Sequence, residues 1–213
     1  ISIALGNHDN ARICNKRSEK DLEIIYAFGL TMPGVPFIYY GNEIGMKQLP
    51  TSWPQVEGAY QPRNGCRTPM QWNTSKNFGF STADASKLYL PVDTAQNAPN
   101  VADAEANPYS ILNKTKKLIQ LKKSEPALAN YAEFVPLYAH ENTYPFVYAR
   151  AHGNDVILVA LNPSKQEVTA DFPMSVSFTN TVLLAGDTIE CVRNDANVHV
   201  TMPGQSYAIV KLQ

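Results

Sequence analysis

After Glu125-Pro126 the chain changes character. Short β-rich runs follow one another at 133–138, 145–150, 156–161, 167–172, 181–184, 198–202 and 207–212. Turn signals separate them, among them His152-Gly153-Asn154-Asp155, Asn162-Pro163-Ser164 and Pro203-Gly204. Regular short strands with this punctuation predict an antiparallel β-sandwich. The boundary is placed near residue 126, giving one domain over 1–125 and a second over 126–213.

The first domain has a different grammar. Ile1–Leu5 is a β-rich run that ends in the polar cluster Gly6-Asn7-His8-Asp9-Asn10. A helix is expected from Ser18, which has capping-box spacing to Asp21, and Pro33 stops it. Leu22, Ile25, Tyr26 and Gly29 share one face of that helix. Val35–Tyr40 is apolar without alternation, the pattern of a strand buried on both faces in a parallel sheet. Strand, helix and strand in this order make a βα unit of an α/β fold. From Gly41 to about Asn107 the chain is rich in Pro, Asn and Gly, a length of irregular structure that is usually functional. A further helix is expected with Asn107 as its N-cap and Pro108 at its first position. Ile111, Leu112, Thr115, Leu118 and Ile119 are its predicted buried stripe, and Lys114, Lys116, Lys117, Lys122 and Lys123 its solvated face and C-terminal charge.

Composition excludes several function classes. Lys and Arg number 18 against 19 Asp and Glu in 213 residues, so no basic field exists to hold nucleic acid. No apolar run approaches the ~18 residues needed to span a bilayer. The three cysteines, Cys14, Cys66 and Cys191, are widely spaced and show no metal-binding pattern, so isolated thiols are expected. Neither a metal nor a cofactor is expected.

Two stretches carry chemistry. Gly6-Asn7-His8-Asp9-Asn10-Ala11-Arg12 offers a carboxylate, an imidazole and a guanidinium just past a strand end, where α/β barrels place their catalytic groups. Asp accepts bonds from adjacent sugar hydroxyls, His donates to one, and Arg orients a carboxylate. An Asn/Asp-rich turn satisfied by its own hydrogen bonds is the plain alternative. The second stretch is Gly65-Cys66-Arg67-Thr68-Pro69-Met70-Gln71-Trp72. Arg67 and Gln71 can bond hydroxyls, and Trp72 offers a flat face to a sugar ring. Its plain alternative is a packed turn anchored by Trp72, with Met70 filling a gap.

In order, and with a buried strand between them, these stretches resemble the C-terminal part of a glycoside hydrolase family 13 enzyme, the α-amylase superfamily. Asn7-His8-Asp9 resembles that family's motif after the seventh barrel strand, and Val35–Gly45 its eighth strand and following loop. Arg67–Trp72, Asn77–Ser81 and Leu88–Val92 resemble the oligo-1,6-glucosidase, α-glucosidase and trehalose synthase branch. Ser110–Asn113 with Leu118-Ile119 resembles the last barrel helix, and the all-β tail the C-terminal sandwich, called domain C. The fold so implied is the end of a TIM (β/α)8 barrel followed by an antiparallel β-sandwich.

The resemblance implies roles. Asp9 is the third carboxylate, which binds the sugar's 2- and 3-hydroxyls and stabilises the transition state. His8 is the neighbouring substrate-binding histidine. Arg12 lies at the rim near the acceptor subsite, and Arg67 shapes the mouth. Glu43 stands where the family often has an acid, and is read as structural. Retaining glycosidases need a nucleophile and an acid/base about 5–5.5 Å apart. In this family both come from earlier strands, and Asp21, Glu23 and Glu57 have no convincing context. A barrel takes ~250 residues. The chain is therefore expected to be part of a longer α-glucosidase, inert alone, with apolar faces covered by the missing N-terminal part or by self-association. Its substrate is an α-linked oligosaccharide. A trehalose- or isomaltulose-synthase-type isomerase and a non-catalytic carbohydrate-binding protein are the alternatives.

Overall fold

A computed structural model describes residues 1–50 and 61–213, and Glu57 lies outside the described residues. The chain forms β1 (Ser2–Ala4), α1 (Glu19–Thr31), β2 (Val35–Phe37), the short α2 (Gln61–Asn64), α3 (Val101–Ala106) and α4 (Ile111–Ser124). Eight strands follow: β3 (Glu133–Tyr138), β4 (Phe146–His152), β5 (Asp155–Asn162), β6 (Val168–Pro173), β7 (Thr181–Gly186), β8 (Glu190–Asn194), β9 (Asn197–Met202) and β10 (Ser206–Leu212). Packing divides the chain into two compact units. One holds Ile1, Glu23–Val35 and Lys117–Gln213, and the other Ser2–Leu22 and Pro36–Lys116. The division runs through α1 and α4 instead of following chain order.

β1 and β2 pair as a two-stranded sheet. Val35 N–H donates to Ile1 O and Leu5 N–H to Phe37 O, each at 2.9 Å. The bonds advance together along both strands, so the pair is parallel. α1 opens on a reciprocal capping box. Ser18 N–H donates to Asp21 Oδ2 at 2.9 Å, and Asp21 N–H donates to Ser18 Oγ at 3.2 Å. β2 is shorter and less covered than its sequence predicts: Val35 and Phe37 are each 53% exposed, because β1 is its sole strand partner among the described residues.

α4 starts later than its sequence predicts. Asn107 ends α3 instead, and its Oδ1 accepts from Tyr109 N–H at 3.0 Å. Ser110 supplies the cap, its Oγ accepting from Asn113 N–H at 3.2 Å. The predicted stripe holds at Ile111, Leu112, Thr115 and Leu118, which are buried. Lys122 departs from the predicted solvated face. Its Nζ donates to Met32 O at 3.1 Å and Leu128 O at 3.3 Å.

The sandwich has a five-stranded sheet, β3-β4-β5-β10-β7, facing a three-stranded sheet, β6-β9-β8. Every pairing within both sheets is antiparallel. Val147, Leu158, Phe172, Val200, Met202 and Val210 form its buried core. β8 was not expected from the sequence. Three residues of its run Glu-Cys-Val-Arg-Asn are charged or polar, and its alternate residues face solvent. Cys14, Cys66 and Cys191 are free thiols, as the spacing predicted.

Gly186 fixes the end of β7. Its φ is +97°, and a Cβ there would lie 2.1 Å from Tyr207 O. Gly186→Ala combines a backbone clash with a left-handed conformation, so we expect a loss of at least about 2 kcal/mol. Urea unfolding of the chain measures it, and an unchanged midpoint contradicts the account.

Candidate active site

The loop after β1 is shaped by Asn7. Its Oδ1 accepts from the N–H groups of Asp9 at 2.8 Å and Asn10 at 3.0 Å, an Asx turn. Those internal bonds use Asn7 and leave the Asp9 carboxylate for other partners. Asp9 Oδ1 lies 3.3 Å from His8 Nε2, 3.0 Å from Arg63 Nη1 and 3.1 Å from Arg67 Nη2. The Asp9 side chain remains 44% exposed. Arg67 makes a second bond, Nε to His8 O at 2.9 Å, so its planar fork ties both members of the His8-Asp9 pair.

Below them Cys66 Sγ donates to Arg63 O at 3.0 Å and His8 O at 3.3 Å. Tyr39 OH donates to Cys66 O at 3.1 Å and Tyr40 OH to Thr68 O at 2.7 Å. The two tyrosines that follow β2 thus hold the Gly65–Trp72 segment by its backbone. Burial pushes the Cys66 thiol and the Tyr39 phenol up, so both stay protonated at neutral pH.

The structure brings His8, Asp9 and Arg67 together as the sequence suggested, and adds Arg63, which sequence reasoning missed. Arg63 sits in the one-turn α2, four positions before Arg67. That spacing was the available signal.

Arg12 corrects an expectation. It is 2% exposed and does not lie at a rim. Its Nη1 donates to Tyr40 O at 2.6 Å and to Asn42 Oδ1 at 3.1 Å. Its guanidinium sits 5.1 and 4.9 Å from the centroids of Tyr39 and Tyr40. A desolvated guanidinium is stable against ring faces and carbonyls, which is why this one is drawn inward. Arg12 therefore braces the loop from inside.

Gln71 is another correction. It is buried and donates to Pro99 O, so it is not offered to a sugar. Met70 packs beside Ile44, Met46 and Leu112, the gap-filling alternative, while Trp72 is half exposed instead of anchored. Glu43 is half-buried, and desolvation pushes its carboxyl up against the opposing pull of the Glu43 and Gly41 backbone N–H groups and Arg12. No group of His, Cys, Asp and Glu side chains among the described residues is placed to hold a metal ion. No helix among them is long and apolar enough to cross a membrane.

Arg67→Lys keeps the charge but cannot make both bonds of the fork. In the longer α-glucosidase that the resemblance implies, kcat/KM on α-glucosides is expected to fall about tenfold. Steady-state kinetics checks this, and parity with the unsubstituted protein would remove Arg67 from the site.

Residues 1–131 match the model of the α-amylase catalytic domain, and residues 137–209 that of the maltogenic amylase C-terminal domain. Among curated proteins, the chain is 27% identical over 217 residues to an oligo-1,6-glucosidase of Parageobacillus thermoglucosidasius, covering 86% of this chain and 37% of that one. It is 33% identical over 177 residues to an α-glucosidase of Apis mellifera, covering 78% of this chain and 30% of that one. The fold matches the isomaltulose synthase of Erwinia rhapontici NX5 with a TM-score of 0.77 at 23% identity, over 100% of this chain and 43% of that one. The chain thus spans about a third of the length of the curated relatives named here. A parallel strand pair with its polar loop, an antiparallel sandwich and these matches together show that the chain belongs to glycoside hydrolase family 13, the α-amylase superfamily.

Proposed function

We propose that this chain supplies part of the sugar site of a retaining α-glycosidase acting on short α-1,4- or α-1,6-linked glucosides. The observation that carries this reading is the convergence of His8, Arg63 and Arg67 on one oxygen of Asp9, in a loop that follows a parallel strand. Asp9 is the transition-state-stabilising carboxylate. As positive charge develops on the sugar ring, its bonds to the ring hydroxyls strengthen, and that difference lowers the barrier. The two arginines hold the carboxylate and aim it. His8 and Arg67 contact or border the substrate, and Arg12 acts through the loop it supports. The nucleophile and the acid/base come from strands outside these 213 residues, so the chain alone is inert. Residues 1–125 are the barrel portion in this reading, and 126–213 the sandwich.

The test is turnover of maltose and isomaltose by the full-length protein, with the chain alone as control and the product anomer followed by proton NMR. Release of α-glucose by the full-length protein, and none by the chain, is expected. Conversion of maltose to trehalose, or of sucrose to isomaltulose, would replace hydrolysis by the isomerase reading. No action on any α-glucoside would overturn both.

A further inference from the structure

We infer that Thr201, on the outer face of the three-stranded sheet, is an acyl-acceptor site that takes acyl groups from activated, uncharged esters. In β9 Val198, Val200 and Met202 enter the core, so His199 and Thr201 stand on the opposite face. β9 is the middle strand. Its neighbours β6 and β8 place Asp171 and Val192 across from His199, and Thr169 and Glu190 across from Thr201. His199 Nδ1 lies 2.9 Å from Asp171 Oδ1, and His199 Nε2 lies 3.1 Å from Thr201 Oγ1. An ionised carboxylate only accepts hydrogen bonds, so Nδ1 carries the proton and donates to Asp171. In the neutral imidazole Nε2 is then the acceptor, and the Thr201 hydroxyl donates to it. Hydroxyl, imidazole and carboxylate thus stand in the order of a nucleophile, its base and the group that orients the base.

The step balances without a redox partner. Thr201 Oγ1 attacks the acyl carbon while its proton passes to His199 Nε2. The bond from the acyl carbon to the leaving oxygen breaks, and the leaving group takes the proton from Nε2. The hydroxyl becomes an ester and the donor's alcohol departs. The sheet also sets the class of donor. β9 is paired on both sides, so its N–H groups belong to the two ladders and offer no oxyanion hole. Each missing oxyanion donor costs about 10²–10³ in rate, so only an ester with a good leaving group reacts. Asp171 and Glu190 put two carboxylates on this face, which disfavours anionic donors. Val192 is 42% exposed beside His199 and gives the acyl group an apolar neighbour.

The test incubates the chain with p-nitrophenyl acetate and locates acetyl groups by peptide mapping, before and after hydroxylamine. Hydroxylamine cleaves esters and spares the amides formed on lysines. A hydroxylamine-labile acetyl group on Thr201 is expected. His199→Gln and His199→Ala should each slow its appearance by at least about tenfold, and Asp171→Asn, which no longer fixes the tautomer, by about tenfold. Thr201→Val keeps the branched shape and should remove the ester altogether. Lysine labelling in the same samples should not change, and thermal unfolding of each variant separates lost reactivity from lost folding. Absence of the Thr201 ester, or its formation at an unchanged rate in either folded His199 variant, would overturn the inference. Labelling of Thr201 by acetyl phosphate as fast as by the aryl ester would overturn the donor class.

Discussion

Asp9→Asn in the full-length protein is expected to lower kcat/KM on maltose and isomaltose by about 10²–10³, the range for removing one group that stabilises charge in a transition state. Asparagine preserves the shape and keeps an oxygen for the sugar. It removes the negative charge that His8, Arg63 and Arg67 surround, and leaves two guanidiniums facing a neutral amide. The loss should fall mainly on kcat, because the bonds to the ring hydroxyls matter most when the sugar is part-way to an oxocarbenium ion. Folding should hardly respond. Exposed ion pairs are worth about 0–1 kcal/mol, and Asn7, not Asp9, supplies the side-chain oxygen of the Asx turn. Unchanged turnover would remove Asp9 from the chemistry.

Arg150→Met should have the largest effect on stability. Arg150 is fully buried, and among the described residues no carboxylate pairs with it. Its guanidinium instead donates to four carbonyls. Nε reaches Glu133 O at 3.1 Å, Nη1 reaches Thr31 O, and Nη2 reaches Ala129 O at 2.5 Å and Ala132 O at 3.3 Å. Thr31 is the last residue of α1, whose C-terminal carbonyls carry partial negative charge. Lys122 adds a second cation at Met32 O, and burial together with Arg150 pushes its ammonium down. Tyr148 OH shares a hydrogen bond with Thr31 Oγ1 in the same pocket.

Methionine fills the volume but abandons these acceptors. At about 1–3 kcal/mol per stranded buried group, partly relieved by relaxation, the loss should be about 3–5 kcal/mol. That is a large part of the stability of an ordinary domain. Lysine should not rescue it, since one ammonium cannot span four carbonyls. Urea unfolding of the chain measures the effect, and a loss below about 1 kcal/mol would show that water serves these carbonyls as well.

The sandwich was legible because its β-rich runs are short and regularly spaced and its turns are marked by Gly, Pro and Asn. β8 escaped because Glu190, Arg193 and Asn194 leave too few apolar positions to show a period. The start of α4 was misplaced because Asn107-Pro108 has the composition of a cap, yet Asn107 closes α3 and forms its own turn. Competition between neighbouring caps is decided by packing, which a local pattern does not contain. At the candidate site, His8 and Asp9 stood out because they follow a strand end. Arg63 did not, since its partner lies 54 positions away. Arg12 was placed at the rim because the resemblance put it near the acceptor subsite, and no local pattern contradicted that. Its burial depends on two adjacent tyrosines and an asparagine carbonyl that only the folded chain brings together.

The grip of Arg150 on Thr31 bears on how such proteins exchange parts. A crossover at residue 126 would hand a foreign sandwich an α1 end it never evolved to hold, and would carry Arg150 away from the Thr31 carbonyl it binds. Viable chimeras of this chain should therefore carry 23–35 along with 117–213, two stretches of sequence inherited as one block.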